Sequence, residues 1–263
     1  MTSGNAAEAR PALIEGSGLV REFGGLRAVN HMSIELRRGE MLGLIGPNGA
    51  GKTTLFNLLA GNLRPTAGTI RIGDVDVSKS GPEGRLKLGV GRTFQIPRPF
   101  AAMTVLENVL TGRQNQAGEQ IVLNFLRPGR VAMEERRAVE KARGLLDFVG
   151  LSRLENEPAR VLSGGQRKLL ELARILMADP QAILLDEPAA GVNPTLLEII
   201  VDRLQDLNAQ GKAILLIEHN MEIVARLCGR VVAMAAGRRL AGGAPDAVLT
   251  DPAVAAAYLG EAA

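Results

Sequence analysis

Residues Met41–Ile45, MLGLI, form a short continuous apolar run that leads directly into Gly46–Leu55, GPNGAGKTTL. Five apolar residues with no polar alternation read as a strand buried on both faces. The following TTLFNLLAG reads as a helix closed by Gly61. Between strand and helix, Gly46, Gly51, Lys52 and Thr53 satisfy G-x-x-x-x-G-K-[ST]. In that spacing glycines let backbone N–H groups curl around a phosphate, and the helix N-terminus adds its positive dipole end. Lys52 is expected to reach the β- and γ-phosphates of a nucleotide and Thr53 to offer its hydroxyl to Mg²⁺. Pro47, Asn48, Gly49, Ala50 and Thr54 complete the loop. An ordinary glycine-rich turn is the alternative, and the strand, the Lys-Thr pair and the helix together argue against it.

Two more runs, Ala182–Asp186 (AILLD) and Ala213–Glu218 (AILLIE), share the texture of MLGLI. Three such strands imply an α/β fold with a parallel sheet covered by helices. Elsewhere the pattern alternates: ALIEGSGLVREF and MSIELRRGE read as strands, and TIRIGDVDV as a hairpin turning at Gly73-Asp74. From Met133 to Val149, Ala138, Ala142, Leu145, Leu146 and Val149 recur at helical spacing among charged residues, the signature of an amphipathic helix. The irregular stretch before it, GRQNQAGEQIVLNFLRPGR, is expected to join that helix to the core. The expected layout is a core with an antiparallel patch over 12–95 and 160–225, a helical subdomain over 96–159, and terminal strands and a helix over 226–263.

Composition removes several function classes. At 263 residues with 46 % apolar content the chain can bury a substantial core. A net charge of +3 with six Phe, one Tyr and no Trp argues against binding single-stranded nucleic acid, which needs stacking platforms in a positive groove. The single cysteine, Cys228, permits neither an internal disulfide nor a zinc cluster and suits a reducing compartment. MTSGNAAEARP lacks the apolar centre of a secretory signal, and no run approaches the ~20 apolar residues of a membrane span. Any membrane role is expected to come through a partner.

An apolar strand ending in a carboxylate puts Asp186 at the carboxyl end of the sheet, where α/β folds bind ligands, so it can hold Mg²⁺ through water. Glu187 leaves the strand in another direction and can serve as general base toward an attacking water. Alone, LLDE would read as a strand end with solvated acids; the phosphate loop changes that reading. A second glycine motif, LSGGQ, spans Leu162–Gln166 and opens a helix with Leu169, Ala173 and Leu176 on one stripe. Ser163 offers a hydroxyl, and Gly164 and Gly165 leave backbone N–H groups accessible beside a helix N-terminus. Without the Lys and Ser/Thr of a full nucleotide loop, it can bind only one end of a triphosphate that something else holds.

The order GPNGAGKT, TFQ, LSGGQ, ILLDEP and a histidine after the next strand resembles the nucleotide-binding subunit of an ABC transporter over nearly the entire chain. That resemblance implies the cofactors ATP and Mg²⁺. It also implies head-to-tail pairing with a second cassette, identical or paralogous, in which Ser163, Gly164, Gly165 and Gln166 close over the partner's nucleotide. By position, Gln95 resembles the family's switch glutamine, a ligand of Mg²⁺ and water. His219 resembles its γ-phosphate-sensing histidine, and Phe23 stands where an aromatic stacks on adenine. For His219 and Phe23 the alternative is ordinary packing, the reading given to His31 and Cys228. Asn193 in AAGVNP stands where many cassettes carry Asp.

FGGLRAV, GRTFQ, RPFAAMTVLENV, DEPAAGVNP, LLIEHNM and AAYLGE together resemble the ATP-binding subunit of importers of branched-chain amino acids, urea or short amides. The implied partners are transmembrane permeases and, indirectly, a solute-binding protein, with the chain peripheral on the cytoplasmic face of the inner membrane. A lipid or lipopolysaccharide export cassette ends in a similar YLGE but lacks the long stretch between Asn108 and Arg130. A soluble ABC ATPase would carry two cassettes, an iron–sulfur segment or a long coiled coil.

Overall fold

A computed structural model describes residues 11–93, 99–114 and 128–259. Among them, two sheets form. In the antiparallel sheet, β1 (Ala12–Phe23) lies between β2 (Leu26–Arg37) and β4 (Ala67–Ile72), with the short β5 (Val75–Asp76) outside β4. Ile72 pairs with Val75, so Gly73 and Asp74 are the two turn residues of the expected hairpin. β2 starts at Leu26, earlier than MSIELRRGE suggests, because Gly24 and Gly25 both take positive φ (52° and 93°) and fold β1 back at once.

The second sheet contains β3 (Met41–Ile45), β6 (Val90–Arg92), β7 (Ala182–Asp186), β8 (Ala213–Ile217), β9 (Arg230–Ala235) and β10 (Arg238–Gly243), in the order β10-β9-β3-β8-β7-β6. All neighbours are parallel except β10, which returns antiparallel to β9. Every residue of β3, β7 and β8 is buried, as their unbroken apolar character requires. Leu44 pairs with Ile217, and Ile217 with Asp186, so the segments leaving β3, β8 and β7 emerge side by side at one edge.

Helix α1 (Lys52–Ala60) follows β3 and ends on Gly61 at φ 86°. From α2 (Pro82–Lys87), the fully buried Arg85 donates to the carbonyls of Leu58 and Leu59 at the C-terminal end of α1 and, at 3.0 Å, to that of Val77. Burial lowers its pKa to about 10, and the helix end it faces is the negative one.

The chain divides into two compact units: Met1–Arg92, Gln181–Ala189 and Leu204–Ala263 in one, Thr93–Pro180 and Ala190–Arg203 in the other. The first holds both sheets. The second holds α3 (Val105–Leu110), α4 (Pro128–Phe148), α5 (Gly164–Met177) and the start of α6 (Pro194–Ala209). Ala138, Ala142 and Leu146 of α4 are buried, as are Leu169, Ala173 and Leu176 of α5. The sequence pattern places residues 160–225 with the core. The described structure groups α5 with α3 and α4, against which it packs. After β8 come α7 (Met221–Leu227), the hairpin β9–β10, α8 (Pro245–Leu249) and α9 (Pro252–Leu259).

Candidate nucleotide site

The loop between β3 and α1 has the backbone its glycines permit. Gly46, Gly49 and Gly51 lie at φ 147°, 80° and 98°. A Cβ on Gly46 would stand 2.2 Å from the Met234 carbonyl oxygen, and one on Gly51 2.2 Å from that of Ala28, so neither position has room for a side chain. Gly51 is the N-cap of α1 and supplies no side-chain cap, and the first turn carries no acid. The N–H groups of that turn are therefore available to an anion. Asn48, Gly49 and Thr53 are exposed, whereas Lys52 is buried. Its Nζ donates to the carbonyls of Gly46 at 2.6 Å and Pro47 at 3.0 Å, which holds the ammonium across the mouth of the loop. Burial lowers the Lys52 pKa, and the nearby charges of Glu187 and Asp186 oppose that shift.

At the end of β7, Asp186 is 5 % exposed, and burial followed by the Glu187 charge raises its pKa against Arg92, Lys52 and His219. Glu187 sits at φ 50°, left-handed backbone that is costly for a residue with a Cβ and that gathers at functional sites. Its N–H donates to the Ile217 carbonyl at 3.0 Å, and its Oε1 lies 3.0 Å from His219 Nε2. Consecutive carboxylates thus differ in setting: Asp186 is buried, and Glu187 points to the histidine at the end of β8. Thr53 and Asp186 supply hard oxygen donors of the kind Mg²⁺ takes. Among the described residues no three His, Cys, Asp or Glu side chains gather to hold a metal.

Phe23 ends β1 and is 42 % exposed, and the Arg21 guanidinium stacks 4.5 Å from the ring centroid. Ser163 is the N-cap of α5 in a reciprocal capping box: its Oγ accepts from the Gln166 N–H at 3.3 Å, and Gln166 Oε1 accepts from the Ser163 N–H at 2.9 Å. A Cβ on Gly165 would meet Leu196 Cδ1 at 2.8 Å, so that glycine serves packing, but one on Gly164 would meet nothing within 4 Å among the described residues. Asn193 Oδ1 accepts from the Leu196 N–H at 2.9 Å and caps α6. Gln95 lies outside the described residues. His31 is exposed on β2 at φ 52°, and burial pushes the Cys228 thiol up to about 12.

Sequence reading left out two supports of this site. Glu218 is 3 % exposed; Oε1 accepts from the Ala189 N–H at 2.7 Å and Oε2 from the His219 N–H at 3.1 Å. It ties the segment after Glu187 to the segment bearing His219. An acid closing an otherwise apolar strand was the available signal. The second support is the β9–β10 turn, whose Gly237 N–H donates to the Ala50 carbonyl at 3.0 Å; nothing local in the sequence announces it.

A family model described as "ABC transporter" matches residues 29–190, and one described as "Branched-chain amino acid ATP-binding cassette transporter" matches 238–263. The chain is 39 % identical over 251 residues to the high-affinity branched-chain amino acid transport ATP-binding protein LivG of Escherichia coli K12, covering 95 % of this chain and 98 % of that one. It is 37 % identical over 251 residues to BraF of Pseudomonas aeruginosa, named for the same transport, with the same coverage of 95 % and 98 %. Among solved structures, a nucleotide-free ATP-binding cassette from an ABC transporter superposes with TM-score 0.82 at 36 % identity, covering 94 % of this chain and 99 % of that one. The ADP conformation of MJ1267, an ATP-binding cassette of an ABC transporter, gives TM-score 0.81 at 35 % identity over 95 % of this chain and 100 % of that one. With that breadth of similarity over a phosphate loop, an acidic strand end and a capped LSGGQ helix, the chain belongs to the ABC transporter family as an ATP-binding cassette with ATPase activity.

Proposed function

We propose that this cassette powers the import of branched-chain amino acids or related small polar solutes. The observation that carries the catalytic part is the convergence, at one edge of the parallel sheet, of a buried Lys52, a buried Asp186 and a strained Glu187 held 3.0 Å from His219. Lys52 and the uncapped first turn of α1 bind the β- and γ-phosphates of ATP. Asp186 and Thr53 would hold Mg²⁺, which supplies charge neutralisation on the phosphates. Glu187 accepts a proton from, or orients, the attacking water, and His219 keeps that carboxylate aimed. Phe23, backed by Arg21, offers its ring to adenine. Gln95 contributes to the metal and water side by resemblance alone.

The LSGGQ segment acts, on this reading, on the nucleotide of a second cassette. Support comes from the exposed Ser163 hydroxyl at the N-terminus of a 14-residue helix and from Gly164, whose missing Cβ no neighbour among the described residues requires. No helix among the described residues is long and apolar enough to cross a membrane, so permease subunits would provide the path and a solute-binding protein the selection. The solute follows from the relatives' names and from the match over 238–263. Disrupting the gene and measuring uptake of radiolabelled leucine, isoleucine, valine, urea and acetamide tests it. Loss of branched-chain uptake, restored by the wild-type chain and not by Glu187→Gln, is expected. Full branched-chain uptake in the disrupted strain would refute the solute assignment.

A further inference from the structure

The side chain of Tyr258, on α9, reaches the first residue of the phosphate loop: its hydroxyl accepts a hydrogen bond from the Gly46 N–H at 2.8 Å, across 212 positions of sequence. Gly46 is buried, and its own carbonyl accepts from Lys52 Nζ at 2.6 Å. The peptide groups on either side of one Cα are thus held, one by Tyr258 and the other by the phosphate-binding lysine. Burial raises the Tyr258 pKa, with the Gly46 bond opposing, so the phenol stays neutral and keeps its proton at working pH. The far side of the loop is held by the β9–β10 turn, through the Gly237 N–H on the Ala50 carbonyl.

We infer that Tyr258 is a positioning residue of the ATP site, fixing through Gly46 the carbonyl that anchors Lys52 and so linking the C-terminal helix to nucleotide binding. The inference rests on the assignment of Lys52 to the phosphates. Without the hydroxyl, the buried Gly46 N–H faces a ring edge and loses its acceptor. If the loop relaxes to recover a partner, binding must reorder it, and affinity falls. If the loop stays put, the penalty falls equally on free and loaded protein, and only stability changes.

Tyr258 is the one tyrosine of a chain without tryptophan, so intrinsic tyrosine emission and a fluorotyrosine NMR signal both report on this residue alone. The test uses the full chain as wild type, Tyr258→Phe and Lys52→Ala, with MgATP and MgADP as probes. Tyr258→Phe is expected to weaken both nucleotides about three- to tenfold, the equivalent of one neutral hydrogen bond, and to leave the thermal midpoint of the nucleotide-free chain nearly unchanged. In the fluorotyrosine-labelled chain, which carries no substitution, the resonance is expected to move on saturation with either nucleotide. Wild-type affinity in Tyr258→Phe, or a fall in thermal midpoint with affinity intact, overturns the inference. So does a fluorotyrosine signal indifferent to nucleotide. If Lys52→Ala binds MgATP as tightly as wild type, it is the assignment of the phosphate loop that fails.

Discussion

Replacing Glu218 by Gln removes one charge and almost no volume from a side chain that is 3 % exposed and accepts two backbone N–H bonds, from Ala189 at 2.7 Å and His219 at 3.1 Å. A glutamine has one oxygen, so it can serve only one of these donors and turns its NH₂ group toward the other. The shorter bond to Ala189 is the one to persist, leaving the His219 N–H opposed by a second donor. A hydrogen bond to a charged acceptor is worth about 1.5–3 kcal/mol, and an unsatisfied buried donor costs a similar amount. The loss is therefore about 2 kcal/mol, and for a chain of this size roughly 4–8 °C of thermal midpoint. His219 carries the ring that meets Glu187 at 3.0 Å, so part of this cost should reach the transition state. If all of it did, turnover would fall about thirtyfold, at tenfold per 1.36 kcal/mol. ATP affinity should hold, since among the described residues Glu218 bonds to Ala189 and His219 and to nothing in Gly46–Thr53. The assay pairs calorimetry with phosphate release at saturating MgATP in the assembled transporter. A lower midpoint with unchanged turnover would refute the claim that Glu218 aims the His219–Glu187 pair and leave it a structural anchor.

Glu187→Gln is expected to bind MgATP normally and to lower turnover by roughly 10²–10⁴-fold, as loss of a positioned acid or base does; single-turnover hydrolysis near the wild-type rate would contradict its role. Phe23→Ala should raise the ATP requirement about two- to tenfold, from a stacking energy of about 0.5–1.5 kcal/mol, and should spare inorganic triphosphate, which has no base to stack. Equal loss on ATP and triphosphate would make the ring structural. Cys228, 5 % exposed with its thiol pushed up to about 12, should resist iodoacetamide at pH 8 until the chain is denatured, because the thiolate is the nucleophile. Labelling by mass spectrometry across a denaturant series checks this, and rapid labelling of the native chain would contradict the burial.

What could be read without coordinates was local. MLGLI, AILLD and AILLI are apolar without interruption because both faces of a central parallel strand are covered, and each becomes a fully buried strand. GPNGAGKT is constrained by backbone geometry that only glycine permits, so its conformation travels with the motif. Asp186 and Glu187 were legible because a carboxylate closing an apolar strand has a defined place at the sheet edge. Strand order was not legible: β3 lies between β8 and β9, partners about 170 and 190 positions later in the chain. That order brings His219 to Glu187 and Glu218 to the Ala189 N–H, pairs about 30 residues apart in sequence. Tertiary structure alone also buried Arg85 against the end of α1 and set the Tyr258 hydroxyl on Gly46. The reason is physical: periodicity and turn chemistry report what a segment does with its own neighbours. A hydrogen bond to a backbone N–H or carbonyl leaves almost no mark on the partner's residue type, so it can be seen only once the chain has closed on itself.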